Sequence, residues 1–246
     1  MPYVTVAGEA VEYTLRYSRR ARRGRIVVTP AGVELVVPYG GDARKLHGFV
    51  ESKGAWIREK QRALQARAHD LPELLPDGLR DGGRILLGGR HERMAVITGP
   101  GRHASVERAG AELCIHLNPA GSAEADQNAV CSQVLSRWLR QHARECVEHA
   151  VARYARPGMQ PREIRIKDQR SRWGSCGVTG IINLNWRLAC TPPEVLDYVV
   201  VHELCHLREP NHSQRFWSLV RQVMPTYEPH KQWLRAHDAL LDQPLP

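Results

Sequence analysis

Apolar residues change their period several times along the chain. Over residues 1–40 they come in short β-branched and aromatic runs, which predict strands at Tyr3 to Val6, Glu12 to Tyr17, Arg25 to Thr29 and Val33 to Pro38. Gly8 and Pro30-Ala31-Gly32 supply the turn signals between them. Asp42 through Ala68 then takes helical spacing, with Leu46, Phe49, Val50, Trp56 and Ile57 on the buried side. Residues 70–84 are rich in Pro, Gly and Asp and read as turns. Strands follow at Arg84 to Leu87, Arg93 to Thr98 and Leu113 to Leu117, then a linker at Asn118 to Asp126. No internal repeat is evident in the residues.

The second half opens on a long amphipathic helix, Gln127 to Arg156, with Val130, Val134, Leu135, Trp138, Leu139, Ala143 and Val147 repeating at helical spacing. Glu163 to Lys167 reads as a strand. Gly180 to Ala189 alternates, placing Ile182, Leu184, Trp186 and Leu188 on one face and Asn183, Asn185 and Arg187 on the other, as in a half-buried strand. Thr191-Pro192-Pro193-Glu194 reads as a helix start with a Thr N-cap and a capping Glu. Val195, Leu196, Val199, Val200 and Val201 carry that helix on, and Pro210 stops it near Glu209. Asn211 and Gln214 read as the capping pair of a further helix through Phe216, Trp217, Leu219, Val220 and Val223. The pattern as a whole is α+β. A β-rich N-terminal region with one helix spans 1–122, and a second region spans 123–246, built of a long helix, a small antiparallel sheet, the Val195–Val201 helix and a further helix.

At the end of the Val195–Val201 helix stands His202-Glu203-Leu204-Cys205-His206, with His212 six residues on. Residues four apart share a helix face, so His202 and His206 can grip one ion, and Glu203 beside them can take a proton from water at the metal. Two imidazoles and a carboxylate at the end of so apolar a helix are costly to bury without a partner. After the bend at Pro210, His212 can face back as a third ligand. Three protein ligands and an open position make a catalytic zinc site, with one Zn2+ per chain. Cys205 is turned away from both histidines.

Charge and cysteine content add context. The 246 residues carry a formal net charge of +9, which favours anionic partners. Six cysteines without a CxxC pair read as reduced thiols of an intracellular protein. No signal-peptide profile and no run of 18 apolar residues occur, so a cytoplasmic location without membrane contact is expected.

Arg172-Trp173-Gly174-Ser175-Cys176, Ile182-Asn183-Leu184-Asn185-Trp186, Tyr198 through Leu207, Asn211-His212-Ser213 and Phe216-Trp217 together resemble the YgjP-like metal-dependent hydrolases, relatives of the SprT-like zinc metallopeptidases. The arginine-rich stretch Tyr17 to Val28 and the Trp56-Ile57 helix are similar to that family's N-terminal part. The resemblance implies a zincin-like domain with His202, His206 and His212 as ligands and Glu203 as base. Glu209 departs from the pattern: an acid there could tune the site, and the first expectation is that it simply faces solvent.

Three functions follow. The first is a zinc metallopeptidase acting on protein or peptide, in which Arg172, Tyr227 or His230 donates to the oxyanion. Arg172 could instead pair with an acid, and Tyr227 and His230 could merely cap the turn after Pro225. An exposed sheet edge beside the metal could hold the peptide by strand addition. The second is a nucleoside triphosphate pyrophosphohydrolase of UTP type on the same metal, with Arg19, Arg20, Arg22 and Arg23 on the phosphates; the resemblance supports it, because a member of that family is linked to nucleoside triphosphate hydrolysis. Against it, the sequence shows no carboxylate pair for magnesium. The third is a module that docks nucleic acid through the basic hairpin, its zinc structural. The six tryptophans sit at core spacings, which argues against base stacking by them.

Overall fold

The computed structural model describes residues 2–6, 9–19, 21–29, 32–70, 72–99, 103–118 and 124–243. The chain divides into two compact units, Met1–Leu71 and Pro72–Pro246.

In the first unit, strands β1 (Tyr3–Val6), β2 (Glu9–Ser18), β3 (Arg25–Thr29) and β4 (Gly32–Pro38) form a sheet of order β1-β2-β4-β3. The β2–β4 pair is parallel and the outer pairs are antiparallel. Alternation places Val11 and Tyr13 of β2, and Val33, Leu35 and Val37 of β4, in one core with Val50 and Ile57. The helix expected over 42–68 is two helices, α1 (Ala43–Ser52) and α2 (Gly54–Asp70). Lys53 separates them, although its amide still bonds the Val50 carbonyl and its own carbonyl accepts from Ile57. The turns at Gly8 and Pro30-Ala31 lie outside the described residues.

The second unit begins with four more strands, β5 (Arg84–Leu87), β6 (Arg90–Thr98), β7 (Ser105–Ala109) and β8 (Glu112–Leu117), in the order β5-β6-β8-β7. Again the central pair is parallel and the outer pairs antiparallel. In both sheets the four strands are separated by two, six and two residues. The fold therefore contains a duplicated four-strand unit that the residues themselves do not reveal. Strand β7 was not expected, since its side chains are nearly all exposed and carry no apolar alternation.

Helix α3 (Glu124–Tyr154) packs Leu135, Leu139, Ala143 and Val147 into the core that holds Ile85, Met94, Leu113 and Ile115 of this sheet. Because that core is continuous, residues 72–118 belong with the second region, and the sequence boundary near 122 moves to 71. Of the expected linker, residues 119–123 lie outside the described set, and Glu124 already belongs to α3.

Three short strands follow: β9 (Glu163–Lys167), β10 (Gly174–Cys176) and β11 (Ile181–Asn185), ordered β10-β11-β9. The sheet is mixed rather than antiparallel, since β11 runs parallel to β9. The alternation read through Ala189 stops at Asn185, and Trp186–Cys190 is a 3-10 helix. Asn185 and Arg187, expected on the outer face, are buried. Asn185 accepts from the Arg187 amide and donates to the Gln169 and Arg172 carbonyls, so its amide group closes the turn around β10.

Helix α4 (Pro193–His206) carries the motif. Its N-cap is Pro192, and the Thr191 hydroxyl bonds the Leu188 carbonyl instead of capping the helix. Helix α5 (Gln214–Val223) is capped by Ser213, whose Oγ accepts from Phe216 N at 3.4 Å. His212 therefore precedes the helix instead of sitting in its first turn. Helix α6 (Tyr227–Ala236), not read from the sequence, completes the unit. No helix among the described residues is long and apolar enough to cross a membrane. The six cysteines are free, and Cys205 is fully buried with its thiol pushed up to about 12 by burial.

Candidate metal centre

His202 and His206 lie on adjacent turns of α4, and the bend at Pro210 returns His212 to them. Their Nε2 atoms form a near-equilateral triangle: 3.2 Å between His202 and His206, 3.1 Å between His206 and His212, and 2.9 Å between His202 and His212. Tetrahedral zinc with bonds of about 2.0–2.1 Å separates its nitrogen ligands by roughly 3.3 Å, so one ion fits the triangle. No other triad of metal-ligating side chains gathers among the described residues. Cys205, fully buried, lies outside this group.

Tautomer and charge suit the role. His206 Nδ1 donates to the Glu209 carbonyl at 3.1 Å, which leaves Nε2 bare. This backbone oxygen is what Glu209 contributes; its side chain is half-buried, not fully in solvent. The Tyr198 hydroxyl lies 3.5 Å from His202 Nδ1. Burial, with the neighbouring His206, His212 and Lys231 adding to it, lowers the His202 pKa to about 3. A ligating imidazole must be neutral, and this one is. Phe216, fully buried, touches all three rings with centroid distances of 4.9, 4.4 and 4.9 Å. Trp217 stacks on His212 and meets Phe216 edge-on, 5.1 Å between centroids. The two aromatics fix the rings' orientations and form the apolar wall behind them.

Glu203 is buried against β10. A Cβ built on Gly174 would stand 2.6 Å from Glu203 Oε1 and 2.9 Å from its Cγ, so only glycine admits the carboxylate here. Oε2 has no hydrogen-bond partner among the described residues. Burial raises the Glu203 pKa to about 8, and the Arg172 charge opposes the rise. Gly174→Ala is expected to displace the carboxylate and cost about 10²-fold in turnover, in line with an ångström-scale misplacement. Metal content should be unchanged, because the three atoms nearest to a side chain at position 174 all belong to Glu203. Turnover and metal analysis on the same sample check it; full activity would show that the carboxylate's place is not critical.

The two shifts set the pH profile of the metal-free chain. His202 titrates near 3 when folded against an ordinary 6.5, so the unfolded chain binds more protons in that interval and stability rises with pH. Glu203 titrates near 8 against 4.5, so the folded chain holds the extra proton and stability falls as pH rises. Between pH 6.5 and 8 only the fall remains. Chelated wild type is expected to lose stability across that window, and chelated Glu203→Gln to be flat. Denaturant titrations at each pH compare them, and equal slopes would place the proton on another group.

A cavity of about 580 Å³ opens beside the histidines, lined by Gly174, Ser175, Cys176, Glu203 and Leu207 among others. Strand β10 borders it and has no partner on its outer side among the described strands. Asn185 N bonds Trp173 O, and Gly177 N bonds Ile181 O. By antiparallel alternation the backbone groups of Gly174 and Cys176 therefore face away from β11. Val178, at the hairpin tip, is fully exposed on the cavity rim.

The other expected site residues are dispersed. Arg172 is exposed, has no ion pair among the described residues, and acts on Glu203 only through its field. Tyr227 is buried between Tyr198 and Trp217, at 6.2 and 5.7 Å. His230 is half-buried on α6. None of the three lines the cavity. Arg19, Arg22 and Arg23 lie in the first unit, between β2 and β3, and Arg20 lies outside the described residues. Gly174 and Phe216 were not singled out by chemistry, although both stand in the segments that carry the resemblance.

A family model for the YgjP-like metallopeptidase domain matches residues 22–237. The chain belongs to the YgjP-like family. It is by that membership a metal-dependent hydrolase with a metallopeptidase domain. Curated proteins give no match. Among solved structures, the metallopeptidase zymogen of Pyrococcus abyssi abylysin is 28% identical, with 37% of this chain and 86% of that chain covered and a TM-score of 0.30.

Proposed function

We propose that this YgjP-like chain is a zinc metallopeptidase, with His202, His206 and His212 as ligands and Glu203 as general base. The observation that carries the reading is the convergence of three imidazole Nε2 atoms beside a buried carboxylate whose Oε2 has no hydrogen-bond partner among the described residues. Bound zinc would supply a Lewis acid that lets water ionise near pH 7. Glu203 would take the proton from water at the metal on its carboxylate and return it, as the carboxylic acid, to the leaving amine. Burial raises its pKa in the metal-free chain, and a cation bound beside it would favour the charged, basic form. The outward-facing groups of Gly174 and Cys176 hold an extended peptide by strand addition across the cavity. Arg172 is the best placed of the three oxyanion candidates, since its charge already reaches Glu203.

The test is cleavage of an unfolded protein by the zinc-loaded chain, read by mass spectrometry, abolished by a chelator and restored by zinc. A parallel panel of nucleoside triphosphates addresses the second reading. Metal-dependent pyrophosphate release without peptide cleavage would assign the same centre to nucleotide hydrolysis.

A further inference from the structure

The arginines of the first unit are not a requirement of its fold, and the duplication makes this visible. Both four-strand units cross from their second to their third strand in six residues. Around the first crossing, residues 16–25 contain Arg16, Arg19, Arg20, Arg22, Arg23 and Arg25 with no acid between them. The matching stretch, residues 96–105, contains Arg102 alone. One topology thus forms with and without the charge.

The topology also concentrates that charge. Strands β2 and β4 run parallel and finish opposite one another at Ser18 and Pro38, and β3 starts at the same end. Arg16, Val36 and Arg25 are register partners across the three strands. Arg16 pairs with Glu34. Arg22, Arg23 and Arg25 are exposed and have no acid partner among the described residues.

Aromatic rings stand at the same end. The stripe of β2 begins in the core with Val11 and Tyr13 but runs out of it, leaving Leu15 at 40% and Tyr17 at 53% exposure. Tyr39 is 68% exposed and is held beside β2 by its amide bond to the Ser18 carbonyl. The Arg19 guanidinium lies 4.9 Å from the Tyr39 ring centroid. Exposed rings have no use for a purely carboxylate polymer, and a duplex hides its base faces. Unpaired arginines interleaved with exposed rings suit a flexible phosphate chain whose bases are free to stack.

We propose that this end of the first unit binds single-stranded nucleic acid, with phosphates on Arg19, Arg22, Arg23 and Arg25 and bases stacked on Tyr17 and Tyr39. The surface is independent of the metal centre and stands whether or not the peptidase reading holds.

Fluorescence anisotropy of the full-length protein with labelled oligothymidine and oligouridine, across a salt series, tests it. Four phosphate contacts give a slope of log affinity on log salt of about −3. Arg22→Ala/Arg23→Ala/Arg25→Ala is expected to bind at least about 30-fold more weakly, with a slope near −1. The control Arg62→Ala/Arg215→Ala/Arg221→Ala removes the same net charge elsewhere and is expected to change affinity less than about 3-fold. Tyr17→Ala/Tyr39→Ala should weaken binding about 10-fold or more at unchanged slope. Unaltered circular dichroism and melting of each variant show that the fold is retained. Equal losses in the two arginine variants would reduce the effect to net charge and overturn the site. A duplex bound as tightly as the single strand would remove the stacking role, and displacement by equimolar nucleoside triphosphate would make this a mononucleotide site; either result overturns the proposal, as does absence of binding at low salt.

Discussion

Glu203→Gln is expected to lower hydrolysis by about 10³-fold while the chain keeps its full complement of zinc. General acid–base catalysis by one positioned group contributes about 10²–10⁴-fold, and no carboxylate stands within the histidine cluster among the described residues to take over the role. The replacement is nearly isosteric, so the packing against Gly174 survives. It also removes a buried ionisable group, so the variant should be at least as stable as wild type near pH 8 once metal is chelated. Single-turnover rates and metal content, measured together, separate a missing base from a missing ion. A variant within a few-fold of wild type would remove Glu203 from the chemistry.

His206→Ala tests the other half of the centre and should have an effect of similar size on a different quantity. Losing one of three ligands is expected to weaken zinc binding at least about 10³-fold. In wild type, free zinc at about 1,000 times its dissociation constant stabilises the fold by about 4 kcal/mol. For a domain of this size that raises the melting temperature by about 10 °C. The variant should show a zinc-dependent rise of under about 2 °C. Scanning calorimetry with and without zinc reads the difference, and an undiminished rise in His206→Ala would mean that zinc binds elsewhere.

The gathering of the three histidines was legible in the residues because its spacing is local. His202, Glu203 and His206 occupy one helix face and its flank, and His212 follows a single bend marked by Pro210. The same reasoning could not reach Gly174. Its need for a bare Cα comes from a strand docking against a helix almost thirty residues further on, and no local pattern records that contact. Asn185 and Arg187 misled for a related reason: their alternation with Leu184 and Trp186 looks like a strand, yet their burial follows from hydrogen bonds that close a 3-10 turn. The unit boundary was drawn at the most linker-like composition, whereas the core runs on from β8 into α3. Strand β7 escaped because it pairs through its backbone and buries almost nothing. The duplicated sheet escaped because strand order and loop length repeat while side chains do not.

The separation between Glu203 and Gly174 has a consequence for assembly. On the proposed assignment the outermost ligands, His202 and His212, are ten residues apart. The base is seated only when the chain closes from Gly174 to Glu203, 203 − 174 = 29 residues. Closing the longer loop costs about 1 kcal/mol more in chain entropy, and it also requires β10 to have found its sheet. On that assignment metal loading is expected to precede the seating of the carboxylate, so that a newly made chain would pass through a loaded but inert stage.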